Sequence, residues 1–397
     1  MNLMKRFNLF FIMIFLGSAG ALSAQSSAGR GLSYVRSAWN IDKGYFIVYS
    51  HARFFGKVGN INLERNVTSA VTFWDIQQGL SFNYGINKNF ELAIMPILYQ
   101  DNQKGGKGYN LIDDIMLTLK MGSFGKTGSS LKFGIDAATR IPTADKHNVA
   151  FEPYSADKLN FGFTGRASFS GDPLYPDDGF GLHVNLGYWN HNDVGQQLTE
   201  TDALIDTVRV DSPSQELNFG VGVMFPTDRF DFSLEFHGNT FLQAPPITAY
   251  SRESFAYVTP KVRYKAYRWL SLDMGVDVRV SKDRDVTNYD FISNYPNLPN
   301  YPAWRINIGA RLTVLPTTVY SVSERDLLMK KAETRRELFE QIIREQRETE
   351  SAEDELERIK DERRKAEREL ERLRRILEGD EKQKKVKEKK KKGNNNG

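Results

Sequence analysis

The sequence of 397 residues contains no cysteine. This absence excludes a disulfide-stabilised scaffold, a thiolate zinc site, a cysteine nucleophile and a lipid-modified N-terminal cysteine. Long apolar runs are also missing, because nothing after residue 24 approaches 18 consecutive apolar residues, and we therefore expect no transmembrane helix in the mature chain. Aromatic residues are nearly absent from the C-terminal part, where Phe339 is the only one after position 322, although the whole chain holds 26 Phe, 17 Tyr and 5 Trp.

Charge is distributed as unevenly as the aromatic residues. The stretch 323–397 contains 24 Lys and Arg and 21 Asp and Glu, whereas positions 1–322 contain 30 and 29. The formal net charge of +4 is a poor guide to partners of the body, since the excess in the tail is concentrated in its last few residues. The chain thus joins an aromatic, nearly neutral body to a highly charged tail.

The first residues have the pattern of a secretory signal peptide. Lys5 and Arg6 precede an apolar stretch over residues 7–16, and small residues follow up to Ala24. An N-terminal membrane anchor is the alternative, although the stretch is shorter than the roughly 20 residues that a spanning helix needs. The sequence predicts a signal peptide over 1–24 and a periplasmic N-terminal segment over 25–44. An exported chain is not expected to meet nucleic acid.

Residues 45–316 alternate between apolar and polar positions. In the clearest case every second residue is apolar: Leu270, Leu272, Met274, Val276, Val278 and Val280. Strict alternation favours strands with one apolar and one polar face. Twelve such segments can be counted, and the connections between them are alternately short and long. The predicted fold class is an all-β transmembrane antiparallel up-and-down barrel of about 12 strands in the outer membrane, with both termini in the periplasm.

A soluble β-sandwich is the competing interpretation, because its strands alternate in the same way. The predicted strands are about 9–12 residues long, which suits a tilted crossing of a bilayer, whereas soluble strands usually have about five or six. Aromatic residues such as Trp269 and Trp304 lie near strand ends, where interfacial girdles belong. The barrel interpretation makes outer-membrane lipid the first expected partner.

Two short motifs in the body resemble a known group of barrels. Residues 82–92 (FNYGINKNFEL) resemble the "YG-turn-EL" hairpin of the outer-membrane transporters grouped with the MetA pathway of phenol degradation. Residues 141–143 (IPT) resemble the strand-end "LPTG" of that group, with Ala144 in place of the glycine. Residues 31–45 also look like the opening of many Gram-negative barrel proteins. The resemblance implies a passive channel or transporter for small solutes, aromatic or apolar ones included.

The last predicted strand resembles a barrel-assembly signal at Asn307, Gly309, Leu312 and Val314. This resemblance implies the barrel-assembly machinery as a second partner. Such a strand normally ends the chain, yet here the chain continues to Gly397. That organisation is similar to OmpA-type proteins, although no peptidoglycan-binding domain of that type is visible in the sequence.

Charged residues opposite the apolar positions are predicted to line the lumen. They are Lys120, Lys132, Asp136, Arg140, Arg166, Glu216, Asp231, Glu235, Lys261, Arg263, Lys265, Asp273, Asp277, Arg279, Arg305 and Arg311. The basic strand 261–265 falls between strands that carry acidic residues, so cross-strand pairs are expected. Two interpretations stay open: a charged constriction that selects solutes, or a salt-bridge network that fills a closed barrel.

Catalytic, cofactor and metal sites are not indicated by the sequence. His147 and His191 fall in loops without metal-ligand spacing, and His237 lacks the nearby serine that a barrel-borne phospholipase needs. We therefore expect a protein that is not an enzyme and that needs no cofactor.

The tail is predicted to be a long charged helix over residues 317–379, with Ser323 as its cap. Apolar residues at alternating spacings of three and four favour a coiled coil in its second half, along the seam Leu356, Ile359, Ala366, Leu370, Leu373 and Leu377. A solitary helix held by ion pairs four residues apart is the alternative. A coiled coil implies a second copy or another periplasmic helix as partner, through residues 323–379.

The last segment, residues 380–397, is rich in lysine and is predicted to be disordered. Anionic lipid or an acidic envelope polymer would attract it, and a solubilising end is the plain alternative. Two functions follow for the whole chain: a porin-like channel with a periplasmic helical extension, or a closed structural barrel that anchors a periplasmic coiled-coil tether.

Overall fold

The computed structural model describes residues 29–64, 67–101, 110–144, 147–148, 153–198, 208–282, 286–287, 301–321 and 324–393. The predicted signal peptide, the alternative anchor and Ser323 lie outside these residues. The chain divides into two compact units, one ending at Ser323 and one beginning at Glu324.

The first unit consists of twelve β-strands. They are β1 (Phe46–Glu64), β2 (Val67–Gly85), β3 (Phe90–Asp101), β4 (Asn110–Phe124), β5 (Leu131–Pro142), β6 (Asn160–Ser170), β7 (Gly181–Asn190), β8 (Gln215–Pro226), β9 (Phe230–Gln243), β10 (Phe255–Tyr267), β11 (Leu270–Arg279) and β12 (Trp304–Leu315). Each strand pairs antiparallel with its sequence neighbours, and β1 pairs with β12, for example Tyr49 with Arg311. The prediction of a twelve-strand antiparallel barrel is confirmed, and its limits of 45–316 lie within a residue of the observed strands.

The barrel is apolar outside and polar inside. Outward side chains such as Phe163, Leu186 and Met274 are more than half exposed, whereas the inward Glu235 and Asp277 are fully buried. This inverts the distribution found in soluble proteins, in which charged residues are almost never fully buried unless paired. Hydrocarbon is the solvent that suits such an outer surface, so the unit is an outer-membrane barrel. The soluble β-sandwich does not describe a closed barrel with a polar interior.

The long connections pack together at one end of the barrel. Tyr154, Leu198, Val210 and Ala249, from three different connections, form a buried apolar cluster. The Tyr154 hydroxyl donates to the Asp193 carboxylate over 2.5 Å, and burial together with that carboxylate raises the pKa of Tyr154 well above its usual value. Tyr154 therefore stays protonated, and its hydroxyl keeps joining the connection before β6 to the connection after β7. We call the cluster of Tyr154, Leu198, Val210 and Ala249 at this end of the barrel the cap.

Most of residues 29–44 lie inside the barrel, and of them only Asp42 and Lys43 are exposed. Tyr34, Val35, Ala38 and Ile41 are buried, and the segment bonds to inward side chains of β3, β4, β6, β9 and β11. The prediction of a periplasmic segment over 25–44 is wrong for this part. The segment carries several apolar side chains and many backbone donors, and the polar lumen supplies acceptors for those donors. We call residues 29–44 the plug.

The C-terminal part contains a short helix α1 (Thr318–Ser321) and a helix α2 (Glu324–Gly393) of 70 residues. Ion pairs four residues apart, such as Arg336–Glu340 (3.1 Å) and Arg363–Glu367 (2.9 Å), lie along α2. The helix continues through the lysine-rich stretch to Gly393, so the predicted disorder from residue 380 is wrong up to that point. Among the described residues, no helix has both the length and the apolar character needed to cross a membrane.

Candidate functional site in the barrel lumen

The plug begins with a tight hairpin. Gly31 and Arg36 form an antiparallel bridge, and the Leu32 amide donates to the Val35 carbonyl over 3.0 Å, which closes a turn at the tip. Gly31 has a φ of +117°, and a Cβ atom there would collide with the backbone amide of Ser37. Only glycine fits this position without strain. The amides of residues 33–35 at this turn point out of the hairpin into the lumen.

The tip of the plug rests on one carboxylate of β9. The backbone amides of Ser33, Tyr34 and Val35 donate to the two carboxylate oxygens of Glu235 over 3.0, 2.7 and 2.8 Å. Hydrogen bonds to an ionised acceptor are roughly twice as strong as neutral ones. Glu235 therefore satisfies three buried donors that the turn cannot satisfy by itself.

The second limb of the plug bonds to the opposite wall. The Ala38 amide donates to the Ser168 hydroxyl (2.8 Å) and the Asn40 amide to the Ser123 hydroxyl (2.9 Å). The Ile41 amide donates to the Glu91 carboxylate over 3.0 Å, and the Trp39 carbonyl accepts from the Lys120 ammonium group over 2.7 Å. The plug thus spans the lumen from β9 to β3, β4 and β6.

Tyr34 occupies a defined place at the tip of the plug. Its ring is stacked on His237 at 3.8 Å between ring centroids, with 17° between the planes, and it meets His51 edge-on at 6.0 Å. Its hydroxyl contacts the Asp277 carboxylate at 2.7 Å and the Asn307 amide oxygen at 3.0 Å. One phenol side chain is therefore held at both its face and its hydroxyl.

Charged side chains of neighbouring strands pair across the inner wall, as expected from their order along the chain. Asp273 is shared by Arg263 (2.7 Å) and Lys261 (3.2 Å). Asp231 pairs with Lys265 over 2.6 Å. Further pairs join Arg305 to Asp277, Arg140 to Asp114, Arg166 to Asp136 and Lys120 to Glu91.

Twelve of the sixteen residues proposed from the sequence to line the lumen are buried in the structure: Lys120, Lys132, Asp136, Arg140, Arg166, Glu216, Asp231, Glu235, Lys261, Asp273, Asp277 and Arg305. The other four, Arg263, Lys265, Arg279 and Arg311, are partly buried. Asn307, the first residue of the resembled assembly signal, points inward and donates to Asp277. The arrangement brings most of these groups into contact with an opposite charge or with the plug.

Several lumen residues were missed by reasoning from the sequence. His51, Arg53, Glu91 and Asp114 are buried on the inner face, and their strands alternate weakly in the sequence. The signal that could have found them is the pairing register, since Glu91 lies directly opposite Lys120. Nothing in the sequence of the plug points to the lumen except its unusual apolar content before the first strand.

The described lumen is filled rather than open. Large inward side chains on four different strands and in the connection before β12 are each at most 5 % exposed: Lys120, Glu235, Tyr257, Arg305 and Tyr301. Plug and side chains together leave these groups almost no contact with solvent. The charged inner wall therefore forms a network around the plug in this conformation.

Gly222 on β8 gives a way to disturb the plug without touching its hydrogen bonds. A Cβ atom at this position would collide with the Leu32 side chain and approach the Val35 Cβ atom to 3.2 Å. We expect Gly222→Leu to disfavour the seated plug by about 1–3 kcal/mol, the usual cost of overpacking. Because the chain has no other thiol, a Ser37→Cys background reports release of the plug as faster reaction with a maleimide.

The matched control is Gly165→Leu on β6, where an added Cβ atom meets only the Leu186 carbonyl at 3.7 Å. Gly222→Leu should accelerate labelling of Ser37→Cys about ten-fold or more, because roughly 1.4 kcal/mol corresponds to a factor of ten. Equal labelling rates in the two glycine variants would show that the plug does not rest against β8.

Comparison with solved structures finds bacterial outer-membrane barrels. The NanC porin matches with a TM-score of 0.42 and 9% identity, over 66% of this chain and 98% of that chain. The COG4313 outer membrane channel from Pseudomonas putida F1 matches with a TM-score of 0.41 and 10% identity, over 72% and 100%. The CymD monoaromatic hydrocarbon channel matches with a TM-score of 0.32 and 7% identity, over 69% and 89%.

No protein-family profile matches the chain, and no curated protein matches it. The similarity is therefore to barrel channels as an architecture, and no solute is carried over from them. The grouping with transporters of the MetA pathway stays a prediction from the two short motifs.

Proposed function

We propose that the chain is a porin-like outer-membrane channel for small solutes whose lumen is closed by the plug and opens when the plug leaves. The observation that carries this proposal is that the barrel closes without the plug. The strand ladder is completed by pairing of β1 with β12, and in the described part of the barrel residues 29–44 belong to none of the ladders between neighbouring strands. The plug is held by hydrogen bonds to polar side chains, by the ion pairs of Arg30 with Asp177 and of Arg36 with Asp136, and by two backbone bonds at the ends of β2 and β4. Its departure exchanges these contacts for contacts with water and leaves the pairing between the twelve strands intact.

Single-channel recording in planar bilayers tests this function. The full chain should conduct weakly or in rare bursts. A variant lacking residues 30–41 should carry a time-averaged current that is at least ten-fold larger. The deletion variant must first show a folded barrel by its heat-dependent mobility in gels. A folded deletion variant that conducts no better than the full chain would contradict the channel, and a full chain that conducts as well as the deletion would contradict the gate.

A closed structural barrel is the second candidate function, and the filled lumen favours it. In that case the barrel anchors α2, and the helix serves as a tether or spacer. At 1.5 Å per residue the 70 residues of α2 extend about 105 Å. The bilayer recording of the full chain separates this candidate from the first, since a structural barrel shows no opening events as long as its plug is present.

The partners of α2 belong to the same proposal. We place both termini of the barrel in the periplasm, because its short connections and its termini share one end, as in outer-membrane barrels. A second copy of the chain is the partner proposed for the seam of α2, and anionic lipid or an acidic envelope polymer is proposed for its lysine-rich end. The assembly signal at the last strand, Asn307 to Val314, would direct insertion by the barrel-assembly machinery.

The seam of α2 can be tested by disulfide crosslinking in the full chain. Ala366→Cys introduces the only thiol on the seam, and Arg368→Cys places one about 200° further round the helix, at 100° per residue. Mild oxidation should give at least five times more covalent dimer with the seam variant than with the control. Equal dimer yields from the two variants, or none from either, would leave α2 as a solitary helix.

A further inference from the structure

The charges of the inner wall differ from one side of the barrel to the other. The strands β10, β11, β12 and β1 are consecutive in the closed sheet, and their described inward side chains include seven cations (three on β10, two on β12 and one each on β11 and β1) and two carboxylates. On the other eight strands, β2 to β9, the described inward side chains include four cations and seven carboxylates. We call the first face the basic wall and the second the acidic wall. An electric field therefore crosses the lumen between them.

The plug neutralises the acidic wall and not the basic one. On the acidic wall, Glu235 accepts hydrogen bonds from the three amides of the tip, and Asp136 pairs with Arg36 over 3.5 Å. Residues 29–41 contain no aspartate and no glutamate. Asp42 is exposed and forms its ion pair within the plug over 2.9 Å. The plug therefore brings no carboxylate to the basic wall.

Arg53 on β1 shows what the basic wall lacks. It is 6 % exposed, and within the described part of the chain its Nε and Nη1 atoms are buried without a hydrogen-bond partner. The contact that it receives from the plug is the face of the Tyr34 ring, whose centroid lies 5.8 Å from the guanidinium carbon. A buried charge is normally paired, and a carboxylate is the anion that matches the planar fork of a guanidinium group. The basic wall thus keeps a place for a carboxylate that no residue of the plug supplies.

Departure of the plug creates the complementary demand on the acidic wall. Glu235 then loses three N–H donors, and an ammonium group carries three such donors together with a positive charge. The distance between the two demands is short, because the amide of Tyr34 reaches Glu235 over 2.7 Å while its ring lies against Arg53. One residue fits between these two groups. A small solute that takes the place of the plug there is within range of both charges.

We propose that the open channel prefers small zwitterionic solutes, which carry one ammonium and one carboxylate group, over neutral solutes of the same size. The proposal rests on the gated channel proposed above. The carboxylate group faces the basic wall and the ammonium group the acidic wall, so the dipole of the solute lies along the field. A neutral solute displaces the water that hydrates the wall charges and returns no charge to them. An ion of one sign is attracted by one wall and repelled by the other.

Alanine and lactamide test this preference, because they are isomers of the same molecular formula and alanine alone is a zwitterion. The variant lacking residues 30–41 is placed in lipid vesicles after its heat-dependent gel mobility has shown a folded barrel, and solute entry is measured by osmotic swelling. Alanine should enter at least three times faster than lactamide. Equal rates in a variant that conducts current would overturn the zwitterion preference and leave the channel. A folded variant that admits neither solute and carries no current would contradict the channel itself and, with it, the preference.

The reversal potential in a potassium chloride gradient separates a zwitterion preference from plain anion selectivity. Because each wall repels one ion, the permeability of chloride should stay within a factor of five of that of potassium. A ratio above five in favour of chloride would mean that the basic wall acts alone, and it would overturn the proposal.

Arg53→Gln in the deletion background tests the basic wall directly. Nε and Nη1 of Arg53 have no hydrogen bond to lose, so a folded barrel is expected. The ratio of alanine entry to lactamide entry should fall at least two-fold. The matched control is Arg229→Gln, the same exchange at an exposed position in the connection between β8 and β9, and it should leave the ratio unchanged. Equal ratios in the two variants would remove Arg53 from the selection of solutes and overturn the role given to the basic wall.

Discussion

Replacing Glu235 with leucine is expected to release the tip of the plug and to accelerate labelling of Ser37→Cys about 100-fold. The three amides of residues 33–35 lose a charged acceptor, and the turn offers them no other. A hydrogen bond to a charged group contributes about 1.5–3 kcal/mol, and we take roughly 3 kcal/mol for the set because such contributions are not additive. This free energy corresponds to a factor of about 150 in the population of the released plug.

Two further variants serve as controls, both in the Ser37→Cys background. Glu235→Gln keeps one acceptor oxygen and loses the charge, so the labelling rate should lie between the rate with Glu235 and the rate with Glu235→Leu. Asp228→Leu removes an exposed carboxylate from the connection between β8 and β9 and should leave the rate unchanged. Lys261 keeps its partner Asp273 when Glu235 is replaced, so the wall does not acquire an unpaired cation there. A rate in Glu235→Leu within a factor of three of the background would mean that Glu235 does not hold the plug.

Replacing Asp273 with alanine is expected to destabilise the barrel itself. Asp273 accepts from Arg263 over 2.7 Å and from the Tyr49 hydroxyl over 2.8 Å, and it lies 3.2 Å from the Lys261 ammonium group. Its removal leaves two cations of β10 without this anion inside the lumen. Breaking a buried ion pair on one side costs about 3–5 kcal/mol, and we expect a loss of unfolding free energy in that range.

Urea unfolding in lipid vesicles measures this loss, with tryptophan fluorescence as the signal. Asp273→Asn retains hydrogen-bond acceptance without the charge and should lose less stability than the alanine variant. The exposed Asp228→Ala should change the unfolding free energy by no more than about 0.5 kcal/mol. A loss below about 1 kcal/mol in Asp273→Ala, well short of the usual cost of an uncompensated buried charge, would show that water or a neighbouring carboxylate replaces it.

The architecture of the barrel was predictable because its signal is local and repeated. From Leu270 to Val280 the polarity of each residue indicates which side of the wall it faces, and an apolar period of two residues is typical of a β-strand. The same alternation assigns Asp273 and Asp277 to the inner wall, next to the basic strand that holds Lys261 and Arg263. Their pairing then follows from the antiparallel order of neighbouring strands. Both fold and charge pairs depend on residues that are near in sequence.

The plug was not predictable in this way, because its contacts are distant in sequence. Ser33 meets Glu235 across 202 residues, and Tyr34 meets Asn307 across 273. Residues 29–44 have no strand alternation, and nothing in their own sequence indicates that a polar lumen supplies acceptors for their amides. The prediction of disorder for the lysine-rich stretch was wrong for a different reason. A run of like charge predicts repulsion, yet lysine is a good helix former and cations are favourable at a helix C-terminus.

The long sequence separation of the plug contacts has a consequence for the order of folding. The acceptors Glu235, Asp277 and Asn307 lie on β9, β11 and β12, which are made last, while the plug is made first. Closing loops of such length costs entropy before any contact rewards it, so we expect the plug to gain its full set of contacts only after these strands have joined the wall. On this expectation, a barrel whose lumen does not yet hold the plug precedes the plugged form during biogenesis, and it is the same kind of state as the conducting form proposed here.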